Sequence, residues 1–508
     1  MTLWNLTQKT AFVVLMSSTA SFADVTPEDV WQNWQDSAKS SGQTITSDSA
    51  ERDGDALVVT ALTSSMDQDG GKYSVTIDEV TFTDMGDGTV EVTMSDSFPV
   101  SVTIPAKTDD PTSTPTNLTL DVTLPGLSTV VSGTPEQMSY ETDAPAVTVK
   151  LDAIEGVDAA QMDVKAEASI VEMTAKYLVE GAESGKNITS DFTATSVNLT
   201  VNGTDSATSD TFDLTAAIAD LTGHSTGAMP GGEMPAQLSD ALNAGLAANG
   251  TFGFGATTFD LNAVSGGKPT KVAGSAESSS TDFAMDAKAL SYTSTSKAVG
   301  LTVTSPDIPI PDLTVNYGEA AFSLLMPVSK ADAPADFSFL TKIIDLKVSD
   351  AIWSMIDPTA ALPHDPATLI IDTKGTATVT SDLMTSTEMQ AMGGVPPAQL
   401  NSFDLTQLQV KLAGAELTGV GGFTFDNADT TTYGGMPAPT GKVDLKLVGG
   451  NALIDKLVAM GVVPQDQAMQ GRMMLSMFAN PGADGADEMT SALEFKGGGF
   501  YANGQQLQ

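Results

Sequence analysis

Residues 90–104 read "VEVTMSDSFPVSVTI". Val90, Val92 and Met94 alternate with polar neighbours, and Val100, Val102 and Ile104 do the same. A period of two sends every apolar side chain to one side of an extended chain, as in a half-buried antiparallel strand. The same period recurs at Tyr73, Val75 and Ile77, at Leu118, Leu120, Val122 and Leu124, and at Val147, Val149 and Leu151. Threonine and serine fill many of the positions between, which suits a pleated, half-wet surface. "MGDGT" (Met85–Thr89) and "VNGT" (Val201–Thr204) carry the residues of tight hairpin turns. Helical interruptions are few, which disfavours βαβ winding. The expected fold is mainly β: long antiparallel, twisted or curved sheets with a few peripheral helices.

The helices sit near the ends. Thr26 can cap, Pro27 suits a first turn, and Glu28 and Asp29 complement a helix N-terminus. Val30, Trp31, Trp34 and Ala38 then recur at helical spacing, so the tryptophans are expected to anchor this helix on a sheet. Asn451–Met460 gathers Leu453, Ile454, Leu457 and Val458 on one side and stops at Gly461. Pro464 opens another helix with Met469, Met473, Met474 and Met477 beside Leu475 and Phe478. A methionine-rich face is either plain core or a soft apolar binding face. Core is the favoured expectation, and the four methionines remain the candidate binding face. "LEFKGGGFYANGQ" reads as a closing hairpin with Gly497–Gly499 at its turn.

The 508 residues exceed one ordinary core, and the 41% hydrophobic content is enough to fill one. There are 64 acidic residues against 23 basic ones, for a net charge of −41. Such a chain repels nucleic acid and anionic headgroups, and with Arg52 and Arg472 as its only arginines it lacks the guanidinium forks that phosphate sites favour. Residues 1–23 hold Lys9, no acid, the apolar run "AFVVLM" (Ala11–Met16) and "SFA" before Asp24. This is the pattern of a secretory signal peptide cleaved near Ala23–Asp24. The apolar run is too short to span a bilayer, and no later stretch is long and apolar enough. With no cysteine in the chain, the expectation is a soluble periplasmic protein without disulfides. Two β-rich regions are expected, 24–230 with the leading helix and 231–508 with the two late helices. "PAQL" at Pro235–Leu238 and again at Pro397–Leu400, each followed by a glycine-rich lead into an aromatic strand, hints at a duplicated unit.

Candidate chemistry is thin. "GHSTG" (Gly223–Gly227) fits the G-x-S-x-G nucleophile elbow, but Ala228–Gly232 cannot start the helix that motif needs, and His364 is the only histidine downstream of Ser225. Two distant histidines and no cysteine exclude an ordinary zinc site. "DQDGG" (Asp67–Gly71) matches part of a calcium loop, but if Ser65 opens it Thr76 stands where glutamate is required, so a hairpin turn is the better reading. No catalytic, cofactor-binding or metal-ligating residue is assigned, and no cofactor is expected.

The most idiosyncratic run is "WSMIDPTAALPHDPATLIID" (Trp353–Asp372). Ser349 or Asp350 can start a helical turn with Ile352, Trp353 and Ile356 on one side. Pro358 and Pro363 end it, Asp357 and Asp365 can accept turn hydrogen bonds, and Pro366 keeps the residue before it extended. The expectation is a proline-pinned corner with Trp353 plugging the core. This run, "GAELTGVGGFTFDN" (Gly414–Asn427), "GGNALIDKLVAMG" (Gly449–Gly461), "RMMLSMFA" (Arg472–Ala479) and "YANGQ" (Tyr501–Gln505) resemble a family of exported alphaproteobacterial proteins catalogued as a domain of unknown function. The resemblance covers essentially the whole mature chain. It implies a periplasmic, mostly β protein with no established activity or cofactor. It also implies arginine as the usual equivalent of His364, so imidazole chemistry is not what that position supplies.

The leading expectation is a non-enzymatic envelope protein that binds a lipid, another apolar ligand or an envelope partner on a groove of its sheet. The alternatives are a periplasmic hydrolase of esters or glycans, with Ser225 and His364 as its suspects, and a structural or adhesive surface protein.

Overall fold

Thr26 and Asp29 open the first helix by holding each other. The Asp29 amide donates to Thr26 Oγ1 at 3.3 Å, and the Thr26 amide donates to Asp29 Oδ2 at 2.9 Å. The helix, α1, runs Pro27–Ser40. In this computed structural model the described residues are 25–40, 42–68, 71–106, 114–156, 162–182, 185–231, 235, 237–308, 313–384, 397–482 and 486–507. The expected signal peptide, and Asp69 and Gly70 of "DQDGG", lie outside them. The chain divides into two units. One is Met1–Glu233 with Gly250–Gly274 and Ser305–Asp307, and the other is Met234–Asn249 with Ser275–Thr304 and Ile308–Gln508.

The first unit is an antiparallel sheet of growing strand length. Thr44–Thr46 and Ser49–Asp53 pair with Ala56–Gln68, which pairs with Gly71–Asp84. Val90–Met94 and Ser97–Ile104 both add to Gly71–Asp84. The run read first in the sequence is thus two strands on one neighbour. Gln137–Glu155, Met162–Ala182, Gly185–Asp205 and Thr211–Pro230 follow as hairpins, two of them 21 residues long. Thr257–Ser265 completes this series against Thr211–Ile218. "VNGT" makes no turn. It lies inside Gly185–Asp205, and the chain reverses at Ser206–Asp210.

The buried core of this unit lies at its N-terminal end. Val30, Val59, Val80, Phe82, Val90, Val92 and Val131 have no exposed surface, and the cluster runs from Val25 to Ala144. Trp31 and Trp34 set their rings 6.0 and 5.2 Å from Phe82, so α1 is anchored as its spacing predicts. Burying each such side chain stabilises by roughly 1.5–3 kcal/mol. Tyr140 reaches Asn33 of α1 with its hydroxyl, and burial pushes its ionisation up, so it stays a neutral donor.

The second unit is a meander. Ala289–Thr304, Leu313–Pro327, Ala335–Val348, Ala367–Val379, Ala398–Leu412, Ala415–Asp426 and Ala438–Val448 each pair with the next. Glu488–Lys496 and Gly499–Ala502 follow, joined at Gly497 and Gly498 as expected. Its helices are α2 (Leu238–Asn243), α3 (Asp350–Ile356), α4 (Gly450–Ala459) and α5 (Gln465–Phe478). The two "PAQL" copies differ in structure: Leu238 begins α2, whereas Ala398–Leu400 begins a strand. Among the described residues no helix is long and apolar enough to cross a membrane.

The strand pairing is creased in both units. Glu172 and Asp220 adopt left-handed φ of 49° inside strands, next to Thr195 on the strand between them, where pairing skips a step. Thr195 Oγ1 donates to Glu172 Oε2 at 2.7 Å. In the second unit Ala298 (φ 48°) and Asp345 (φ 56°) flank Gly318 in the same way. Irregularities aligned across neighbouring strands bend a sheet along a line and increase its twist.

Candidate functional site

The strand register sorts the side chains by charge. In the first unit Phe98, Val122, Val149, Ala168, Leu199, Ala216 and Phe259 stand opposite one another on successive strands. One residue along each strand, on the other side, the row reads Asp121, Lys150, Glu167, Thr200, Thr215 and Asp260. The Lys150–Glu167 pair in it is 3.4 Å apart. One face is therefore free of charge along this row, and the other carries the ions.

The apolar face is not a packed core. Beyond Ala144, the buried apolar side chains among the described residues of the first unit's long strands are Ala175 and Ala194. Their larger neighbours, such as Ile170, Leu199, Leu214 and Leu261, are only partly buried, and Phe259 is 37% exposed. Aromatic rings lie over glycines across the strand pairs. A Cβ at Gly203 would collide with the Phe212 ring, one at Gly223 with Phe192, and one at Gly274 with Phe259. A glycine leaves room for the ring to lie flat, which makes the surface smooth as well as apolar.

The second unit repeats the design with different residues. Tyr292, Leu324, Phe339, Thr373, Leu405, Gly421, Val443, Leu493 and Ala502 form one uncharged row. The row behind it runs Ser338, Lys374, Asp404, Gly422, Lys442, Glu494 and Tyr501. Phe322 stands edge-on to Phe339 at 5.7 Å and tilted to Tyr292 at 6.2 Å. These three rings are 36–39% exposed.

"GHSTG" is the middle of the strand Thr211–Pro230. His224 and Ser225 are neighbours on a strand, so they point to opposite faces. His224 Nδ1 meets Asp191 Oδ1 across the pair at 2.7 Å on the polar side. Gly223 is needed for the Phe192 ring, not for a strained elbow. Among the described residues no group of three or more His, Cys, Asp or Glu side chains is placed to hold a metal.

At the Trp353 corner the chain turns on Asp357, and three expectations are corrected. Asp357 is buried, and it accepts from the Leu362 amide at 2.6 Å and from Thr359 Oγ1 at 2.9 Å. The Leu362 bond above all holds its carboxyl below the usual carboxylate range. Pro358 follows the helix, Pro363 packs on Gly414, and Pro366 precedes the strand at Ala367. Trp353, however, does not plug a core. It is partly exposed and stacks on His364, with centroids 4.5 Å apart and planes 5° from parallel. Asp365 is exposed and accepts no turn amide among the described residues; the corner's amide bond goes to Asp357 instead. Ile356, expected on the packed side, is 57% exposed.

The methionines overturn the core expectation. Met469, Met473, Met474 and Met477 are 60–63% exposed, and Ala468 is the buried residue of α5. The helix turns small and mixed side chains to the sheet and thioethers to solvent. A cavity of about 400 Å³ lies on the polar side of the first unit, edged by Asp163, Lys165, Asn202, Asp213, Asn262 and Lys271. Its mixed charges select no chemical class.

Residues 255–506 match the model of a family described as "Uncharacterized protein conserved in bacteria (DUF2125)". The resemblance to a domain of unknown function is thereby upheld, over a shorter stretch than the whole mature chain. The DUF2125 stretch includes the second unit's uncharged row, the Trp353 corner and α5. No curated protein matches the chain. One solved structure, of the ferric citrate transporter FecA in unliganded form, aligns over 91% of this chain and 76% of its own at 9% identity. Its TM-score of 0.16 is too low for a common fold.

Proposed function

We propose that this chain is a non-enzymatic protein of the bacterial envelope that binds a lipid, or a similarly apolar ligand, on the uncharged face of its creased sheet. The observation that carries this is the incomplete burial of that face. Apolar surface left in water costs roughly 25 cal/mol per Å², and a row of half-exposed rings is a natural place for an apolar ligand to bind. Along the two rows the ions stand on the other side, so those rows offer acyl chains no charge to desolvate. The pattern at residues 1–23 supports export to the periplasm, where lipids must cross water.

Native mass spectrometry of protein purified from the periplasm, with solvent extraction of the same sample, tests the proposal. Copurifying lipid is expected. A protein that leaves the periplasm bare, and takes up no lipid from zwitterionic vesicles, would remove the basis for it.

A further inference from the structure

The proposed lipid face makes no use of α5, whose outer surface carries a different chemistry. At 3.6 residues per turn Met469 and Met473 stack one turn apart, and Met477 follows one turn above the gap between Met473 and Met474. Side chains at such spacings have Cβ atoms about 5–6 Å apart. A methionine side chain has three rotatable bonds, enough to swing neighbouring sulfurs together. Rotation about those bonds can bring the thioethers of Met469, Met473 and Met477, and of Met474 beside Met477, within reach of one small ion. All four are at least 60% exposed, so a small ion reaches them without unfolding anything.

We infer that this surface is a binding site for a soft monovalent cation, Cu(I) or Ag(I), held by methionine sulfur alone. Thioethers are soft donors that select Cu(I) over zinc, calcium or magnesium. The chain has no cysteine, and neither histidine lies on α5, so no imidazole or thiolate competes there. Asp466 and Gln470 share the solvent side of the helix, and a chain of net charge −41 draws cations toward its surface. No electron transfer is involved, because the metal enters and leaves as Cu(I). An apolar docking role is the other use of such a stripe, and it separates cleanly. Leucine keeps the apolar surface and the helix but removes the sulfur.

The test is a competition titration of the full-length protein against Cu(I)-bicinchoninate under ascorbate. The wild-type protein is expected to withdraw one Cu(I), with sulfur-only scattering in X-ray absorption. Met473→Leu and Met477→Leu should each weaken binding. The combined leucine variant at 469, 473, 474 and 477 should lose more than about a hundredfold, beyond what loss of an outer-sphere partner costs. Met436→Leu, a methionine 65% exposed elsewhere, should change nothing, and circular dichroism should show all variants folded. No withdrawal of Cu(I) by the wild type, or withdrawal that survives in the combined variant, overturns the inference. Lipid binding by the combined variant reports on the sheet separately.

Discussion

At the scale of the residue, Asp357 shows how a corner is fixed by one carboxylate. Its two oxygens satisfy the Leu362 amide and the Thr359 hydroxyl. Its ionisation lies below the ordinary range in the folded chain. The sign follows from linkage: a carboxyl with a depressed folded-state value stabilises fully above its unfolded value, near pH 4, and that contribution fades as the pH falls. Asp357→Asn should therefore lower the urea midpoint at pH 7. The gap between variant and wild type should narrow below about pH 4. Equal gaps at pH 7 and pH 3 would show that the charge plays no part. Proline and aspartate spacing made this corner legible in the sequence. The stacking of Trp353 on His364 was not legible, because the two residues are separated by a loop whose path depends on Asp357 and Pro363. Nor was the difference between Asp357 and Asp365, which rests on where one amide points.

At the scale of the element, alternation decides strands well and turns badly. The period of two located Val90–Met94, Ser97–Ile104 and part of Gln137–Glu155, because their two faces differ in burial. The glycine signals were ambiguous, since glycine serves both turns and close packing. Gly203 in "VNGT" and Gly223 in "GHSTG" both make room for a phenyl ring on the neighbouring strand. That reading needs the register, which no local motif supplies. Gly223→Ala should cost about 1–3 kcal/mol through overpacking against Phe192. In a Phe192→Ala background it should cost much less, and urea denaturation across the double-mutant cycle would measure the coupling. Additive losses would mean the ring and the glycine are independent. The exposed methionines of α5 show the limit of helical periodicity in the other direction. Spacing places them on one side but does not say whether that side meets the sheet.

At the scale of the whole chain, the charge balance and the period of two together separate ions from apolar groups. Their joint consequence, uncharged rows that are only partly buried, appears once the register lines up residues from distant strands. Leu199 and Thr200 sit at its decisive boundary: neighbours in sequence, on opposite faces, each paired into the same strands. Replace each in turn with a photoreactive phenylalanine, irradiate in cells, and read lipid adducts by mass spectrometry. Adducts at position 199 and none at 200 are predicted. Adducts at both positions alike, or at neither while the protein is folded, would contradict a lipid-binding face.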